Sequence, residues 1–185
     1  MNKYILKLMA VFSLSACSLS SSQDYTSSYR GDCYRLLRAS VLYKGWCANL
    51  SSSFSIASSC LGLQSFPIEA YDKDKNILNS FAEYQSDKDF WNKKLFGTSL
   101  SSSKYTLVDE VSTDTQFQIT QVIKQQWGTD GYFWAVRAKI LTGKYKGKVV
   151  TLPTYKFHLG QAWAKRPSTQ DFYLDSFYTE SCERR

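Results

Sequence analysis

The chain is 185 residues long, carries a formal charge of +7, and is 43% hydrophobic and 21% charged. That length corresponds to one domain, and that composition excludes a wholly disordered chain. Nine Gly and three Pro exclude collagen-like and Pro-rich architectures, and a single histidine, His158, excludes any site built on two.

The chain begins MNKYILKLMAVFSLSAC. Lys3 and Lys7 form a basic start, residues 8–14 an apolar stretch, and Ser15 and Ala16 a small-residue site. This is the order of a secretory signal, too short to cross a bilayer core of about 30 Å as a permanent helix. Its end, Leu14-Ser15-Ala16-Cys17, resembles the lipobox of bacterial lipoprotein precursors. The resemblance implies a signal peptide over residues 1–16, cleavage before Cys17, and a diacylglycerol on the Cys17 sulfur. That covalent lipid, and no other cofactor, is expected. Each buried CH₂ contributes about 0.8 kcal/mol, so two or three acyl chains hold a protein to a membrane. Ser18 stands where an Asp would resemble the inner-membrane retention signal of enteric lipoproteins. The implied location is therefore the outer membrane, facing the periplasm.

Residues 18–30 (SLSSSQDYTSSYR) are Ser-rich without a hydrophobic period, so 17–30 reads as a flexible tether and 31–185 as the folded domain. Cys33, Cys47, Cys60 and Cys182 remain, an even number that suggests two disulfides in an exported chain. All three possible pairings tie Cys182 to the N-terminal region. We favour Cys33–Cys47 with Cys60–Cys182. The intervening lengths of 13, 12 and 121 residues do not resemble the paired CxxC knuckles of a zinc site.

Residues 34–70 mix short apolar runs with Ser clusters, and Pro67 keeps residue 66 extended. A helix is predicted near 86–96, with Ser86 as cap, Asp87 and Asp89 in the first turn, and Lys93 and Lys94 in the last. Phe90, Trp91 and Leu95 would share its packed face. From Lys104 the period becomes two. Tyr105, Leu107 and Val111 form one series and Phe117, Ile119 and Ile123 the next, with Gln121 and Val122 interrupting as a bulge would. In residues 132–140 the even positions line one face and the odd positions, Arg137 and Lys139 among them, the other. The turn TGKYKG leads to a last strand, KVVTL, stopped by Pro153.

The fold expected is mainly β (α+β): a meander over 104–153 forming a small antiparallel barrel or twisted sheet, one packed helix, and a disulfide-linked N-terminal part. The segment GYFWAVRAKILTGKYKGKVVTLP resembles the middle of SH3-like barrels in bacterial envelope proteins. Such barrels bind many unrelated things, so the resemblance implies a fold rather than a function.

Catalysis would have to use His158 with a carboxylate such as Asp171 or Asp175; no GxSxG elbow, Walker A loop, HExxH or GxGxxG occurs. Asp109 and Glu110 would face opposite sides of a strand and read as solvated charges. Positive charge is localised: residues 137–185 sum to +6, and 17–136 to −1. Lys144, Tyr145, Lys146 and Lys148 at a hairpin tip, with Arg137 and Lys139, form a candidate binding surface. Phe172, Tyr173, Phe177 and Tyr178 come in two pairs, of which one member each can be exposed beside positive charge. The expected function is non-catalytic protein binding at the envelope, as in an immunity or inhibitor lipoprotein or an accessory of an envelope machine. The alternative is binding of cell-wall or other anionic polymer; a small hydrolase using His158 ranks below both. Nucleic acid suits the charge but not the exported location.

Overall fold

Alternation with period two is strongest between residues 116 and 140, and there the chain forms its two longest strands. The computed structural model describes residues 22–45, 60–70, 74–96, 105–126, 131–154, 161–165 and 171–182. In chain order the elements are β1 (Ser22–Asp24), α1 (Thr26–Tyr29), β2 (Cys33–Leu36), β3 (Ser40–Gly45), β4 (Cys60–Ser65), β5 (Ile68–Glu69), β6 (Ile77–Leu78), α2 (Phe81–Ser86), α3 (Lys88–Phe96), β7 (Thr106–Val111), β8 (Gln116–Gln126), β9 (Tyr132–Ile140), β10 (Val149–Thr151) and β11 (Thr179–Ser181). The protein is mainly β, with three short helices on one curled sheet.

That sheet runs β11-β2-β8-β9-β10-β4-β3-β7, with β1 also on β8; every pair is antiparallel except β10 with β4. β8, β9 and β10 form the expected meander. The register of β8 on β9 slips between Ile119 and Gln121, a bulge close to the predicted break. β7 departs from the expected meander: it pairs with β3, at the other end of the strand order from the β8 that follows it. Residues 112–115 are the whole connection between β7 and β8. A link so short between distant strands requires the sheet to curl, which makes a half-barrel.

The curl encloses one core and leaves a second outside. Leu42, Leu63, Phe117, Val122, Trp134, Val136 and Trp163 pack within the barrel. Val41, on the opposite face of β3 from Leu42, packs with Phe66, Leu78, Phe81, Tyr84, Trp91 and Leu95 beneath α2 and α3. β7 contributes to both cores because Leu42 pairs with Asp109 but Tyr43 with Leu107, leaving Val108 as the extra residue of a bulge. Leu107 therefore joins the outer core and Val111 the inner one, although a regular strand would put them on one face.

The helix expected near 86–96 is α3, and a second, unpredicted helix, α2, precedes it, separated from it at Asp87. The cap of α3 is Asp87 rather than Ser86: its Oδ1 accepts the Phe90 N–H at 3.0 Å, while the Ser86 hydroxyl donates back to the Glu83 carbonyl. Trp91 and Leu95 are buried, whereas Phe90 is turned outward beside Lys94.

Of residues 17–30, expected as a flexible tether, 22–30 belong to the fold, and 17–21 lie outside the described residues. β1 pairs with the C-terminal half of β8, and α1 seats Tyr25 edge-on to Trp134 and Tyr29 edge-on to Phe172. Buried Thr26 accepts the Val122 N–H at 3.1 Å, and the Tyr29 hydroxyl accepts the Phe172 N–H at 3.0 Å. Two rings four residues apart stabilise this Ser-rich stretch through burial that its propensities do not announce.

The disulfide pairing also differs from the expected one. Cys33 bonds to Cys182, not Cys47, so β11 is clamped beside β2 across a sequence separation of 149. Cys60 is disulfide-bonded as well; Cys47 lies outside the described residues. The tail is held to the N-terminal region as every pairing required. Closing a loop of this size stabilises by about 5 kcal/mol in the chain-entropy model.

Two glycines admit rings against the backbone. A Cβ on Gly62 would lie 2.0 Å from Cζ of Tyr43, its cross-strand partner, and one on Gly45 would lie 2.1 Å from Cδ1 of Tyr105. We predict that Gly62→Ala destabilises by about 1–3 kcal/mol through overpacking against the Tyr43 ring, measured as a lowered urea midpoint; an unchanged midpoint would show that the ring yields freely. Replacing Cys33 and Cys182 together by Ser is predicted to cost about 2–5 kcal/mol, and non-reducing peptide mapping should recover Cys33 joined to Cys182.

Candidate functional site

The basic hairpin tip is built by glycine. Gly143 and Gly147 adopt positive φ (75° and 88°), and the Lys146 and Lys148 N–H groups close turns onto the Gly143 and Tyr145 carbonyls. The tip does not present its charges uniformly. Lys144 and the Tyr145 hydroxyl both donate to Oδ2 of Asp109 on β7, across the seam of the half-barrel. These hydrogen bonds, Lys144 first and then Tyr145, hold the Asp109 carboxyl below its ordinary value of 3.8. Burial, followed by the same carboxylate, pushes the Tyr145 phenol up. The pair thus fastens the hairpin to β7. Asp109, expected to be a solvated charge, is its anchor, aimed there by the bulge at Val108.

Arg137 and Lys139, the other members of the predicted basic surface, lie away from the tip on β9. Lys139 aligns with Gln118 and Val149 across the outer face, and Arg137 with Gln121 and Thr151. Lys139, Lys146 and Lys148 are exposed and Arg137 half-buried. Among the described residues none of the four has a carboxylate within ion-pair distance.

The aromatic pairs divide as expected. Phe172 and Tyr178 are buried, whereas Tyr173 is 40% and Phe177 50% exposed. Each exposed ring has a cation beside it: Lys165 lies 6.0 Å from the Tyr173 centroid, and the Arg38 guanidinium 3.5 Å from that of Phe177. Arg38 also donates Nε to the Phe177 carbonyl at 3.2 Å. Next to it Leu37 is 40% exposed. Leu37, Arg38 and Ala39 continue into an open cleft with Phe66, Pro67, Asn79 and Thr113. The Leu37 N–H donates to the Tyr178 carbonyl and the Phe66 N–H to that of Ala39, which fixes the loops around the cleft. An arginine with two exposed apolar side chains is the composition of a protein-docking patch. Sequence reasoning found Phe177 but missed Leu37 and Arg38, whose partner stands 139 positions away.

Asp175, considered as a catalytic carboxylate, closes a turn: its Oδ1 accepts the Phe177 N–H at 2.9 Å and its carbonyl the Tyr178 N–H. Asp171 is exposed. His158, Cys17 and Cys47 lie outside the described residues. No protein-family model, curated protein or solved structure matches the chain.

Because the folded state holds the Asp109 carboxyl low, its protonation favours the unfolded chain. Its contribution is present above its ordinary value of 3.8 and fades as pH falls through the lower folded value. Urea midpoints at pH 6 and at acid pH should therefore fall less with acid in Asp109→Asn than in the wild type; equal acid sensitivity would contradict the clip.

Proposed function

We propose that this protein is a lipid-anchored, non-catalytic protein-binding module of a bacterial envelope, facing the periplasm from the outer membrane. The single observation that carries the anchor is the run Leu14-Ser15-Ala16-Cys17 behind a basic and apolar start. The disulfide between Cys33 and Cys182 supports an oxidising compartment. The binding role rests on the patch of Leu37, Arg38 and Phe177 at the mouth of the cleft. Its partner is a protein with an apolar contact and a carboxylate for the guanidinium, as an immunity or inhibitor module or an envelope-machine accessory would require. The likeness of residues 104–153 to SH3-like barrels belongs to this proposal through β8, β9 and β10; β7 departs from it by pairing with β3.

One observation favours a second reading. Arg137, Lys139, Lys146 and Lys148 present positive charge along the outer face of β9 and its hairpin, suited to anionic cell-wall polymer. The two readings respond differently to salt, because exposed charges are screened beyond a Debye length of about 8 Å at physiological ionic strength.

Chain with Cys17→Ser, used as bait in periplasmic extract, is predicted to retain a stoichiometric partner through moderate salt. Exchanging Phe177 for Ser and Arg38 for Ala should weaken that capture by about tenfold or more, and Lys146→Glu with Lys148→Glu should not. Salt-labile sedimentation with isolated cell wall, lost in the lysine variant alone, would establish the polymer reading instead.

A further inference from the structure

We infer that the end of the sheet formed by β1 and the β8–β9 pair rests on the membrane surface, and that the opposite end carries the partner-binding patch. This rests on the proposed acylation of Cys17. Cys17 and Ser22 are five residues apart, and five residues of fully extended chain cover at most about 18 Å. Ser22 pairs with Gln125, and Gln126 with Tyr132. The tether therefore enters the sheet at that end, and a domain held so closely has this end at the headgroups.

The side chains there have the matching chemistry. Tyr132 is 36% exposed, and the Lys124 ammonium lies 4.7 Å from its ring centroid. A tyrosine ring sits well at the boundary between acyl chains and headgroups, and a lysine beside it pairs with lipid phosphate. The Asp24 carboxylate at the same end accepts the Thr26 N–H at 2.7 Å; hydrogen bonds from the Thr26 side chain and then from its N–H hold it below its ordinary value, so it stays ionised and is turned onto Thr26. The occupant of this surface is the headgroup layer of the bilayer that holds the anchor, met by Lys124 through lipid phosphate and by the Tyr132 ring.

The far end follows from register. Gln125 faces Ser22, whereas Gln116 faces Arg35, next to Leu36 and Leu37. Nine residues of strand separate them, about 30 Å. The basic tip belongs to the far end too, since Ile140 pairs with Phe117 and the Leu141 N–H donates to the Gln116 carbonyl. Lys146 and Lys148 accordingly face away from the anchoring membrane, and Lys144 at the same tip is held by Asp109.

The test uses full-length protein extracted from membranes and reconstituted into vesicles of phosphatidylethanolamine and phosphatidylglycerol. Amide hydrogen exchange is compared with the Cys17→Ser chain in solution, and the mass of the N-terminal peptide is read in the same runs. The expected result is slower exchange in residues 22–26, 122–126 and 131–134 on vesicles, with no change in 35–39, 144–148 or 175–178. Lys124→Glu combined with Tyr132→Ser should remove that protection without altering acylation. An acylated chain with equal exchange at both ends, or with protection at 35–39 and 144–148, would overturn the orientation while leaving the anchor intact. A bare Cys17 would overturn the anchor and the orientation together.

Discussion

β8 is hydrogen-bonded along both edges over nearly its whole length, and the placement of every other part depends on that. β9 takes one edge from Phe117 to Gln126. On the other, β2 takes the N-terminal end and β1 the C-terminal end. The turn through residues 30–32 joins the two, with the Gly31 N–H donating to the Ile119 carbonyl and the Ile119 N–H to that of Asp32, between the two paired ends. β8 is thus an internal strand without an open edge. The same pairing brings the disulfide to β2 and hence to the C-terminal tail.

Two further constraints convert this sheet into a half-barrel with a usable rim. The short 112–115 connection forces the curl, and the bulge at Val108 turns Asp109 toward the seam, where Lys144 and Tyr145 meet it. The rim then collects loops distant in sequence: the β2–β3 turn, the Phe66–Pro67 corner, Thr113 and the Phe177 turn. Arg35 ties the same rim together through Glu180 and Asp114. A rim assembled from so many held loops is pre-organised, so the proposed partner would meet little ordering cost there.

The regular β8–β9–β10 hairpins were legible in the sequence because alternation, glycine turns and Pro153 agree over forty consecutive residues. The helical region was legible in place but not in detail, since Ser86 and Asp87 are both good caps and only the fold decides between them. What escaped the sequence is non-local. β7 has the pattern of a meander strand, yet its partner is β3. Residues 22–30 have tether composition, and their order depends on the burial of Tyr25 and Tyr29 against Trp134 and Phe172. Asp24 followed by Thr26, with tyrosines four apart, is the one local signal that was there to be read. The clip at Asp109 and the stacking of Arg38 on Phe177 join residues 35 and 139 positions apart, beyond any periodicity.

The proposed arrangement, an anchored end and a binding end at opposite poles of one sheet, depends on where β1 attaches. The most direct measurement is a nuclear Overhauser contact between the α-protons of Asp24 and Ile123 in the Cys17→Ser chain. The register requires these protons to approach closely, together with contacts between β2 and β8 such as Tyr34 with Phe117. Contacts from β2 without any from β1 would show that residues 22–24 leave the sheet, and the two-ended arrangement would fall.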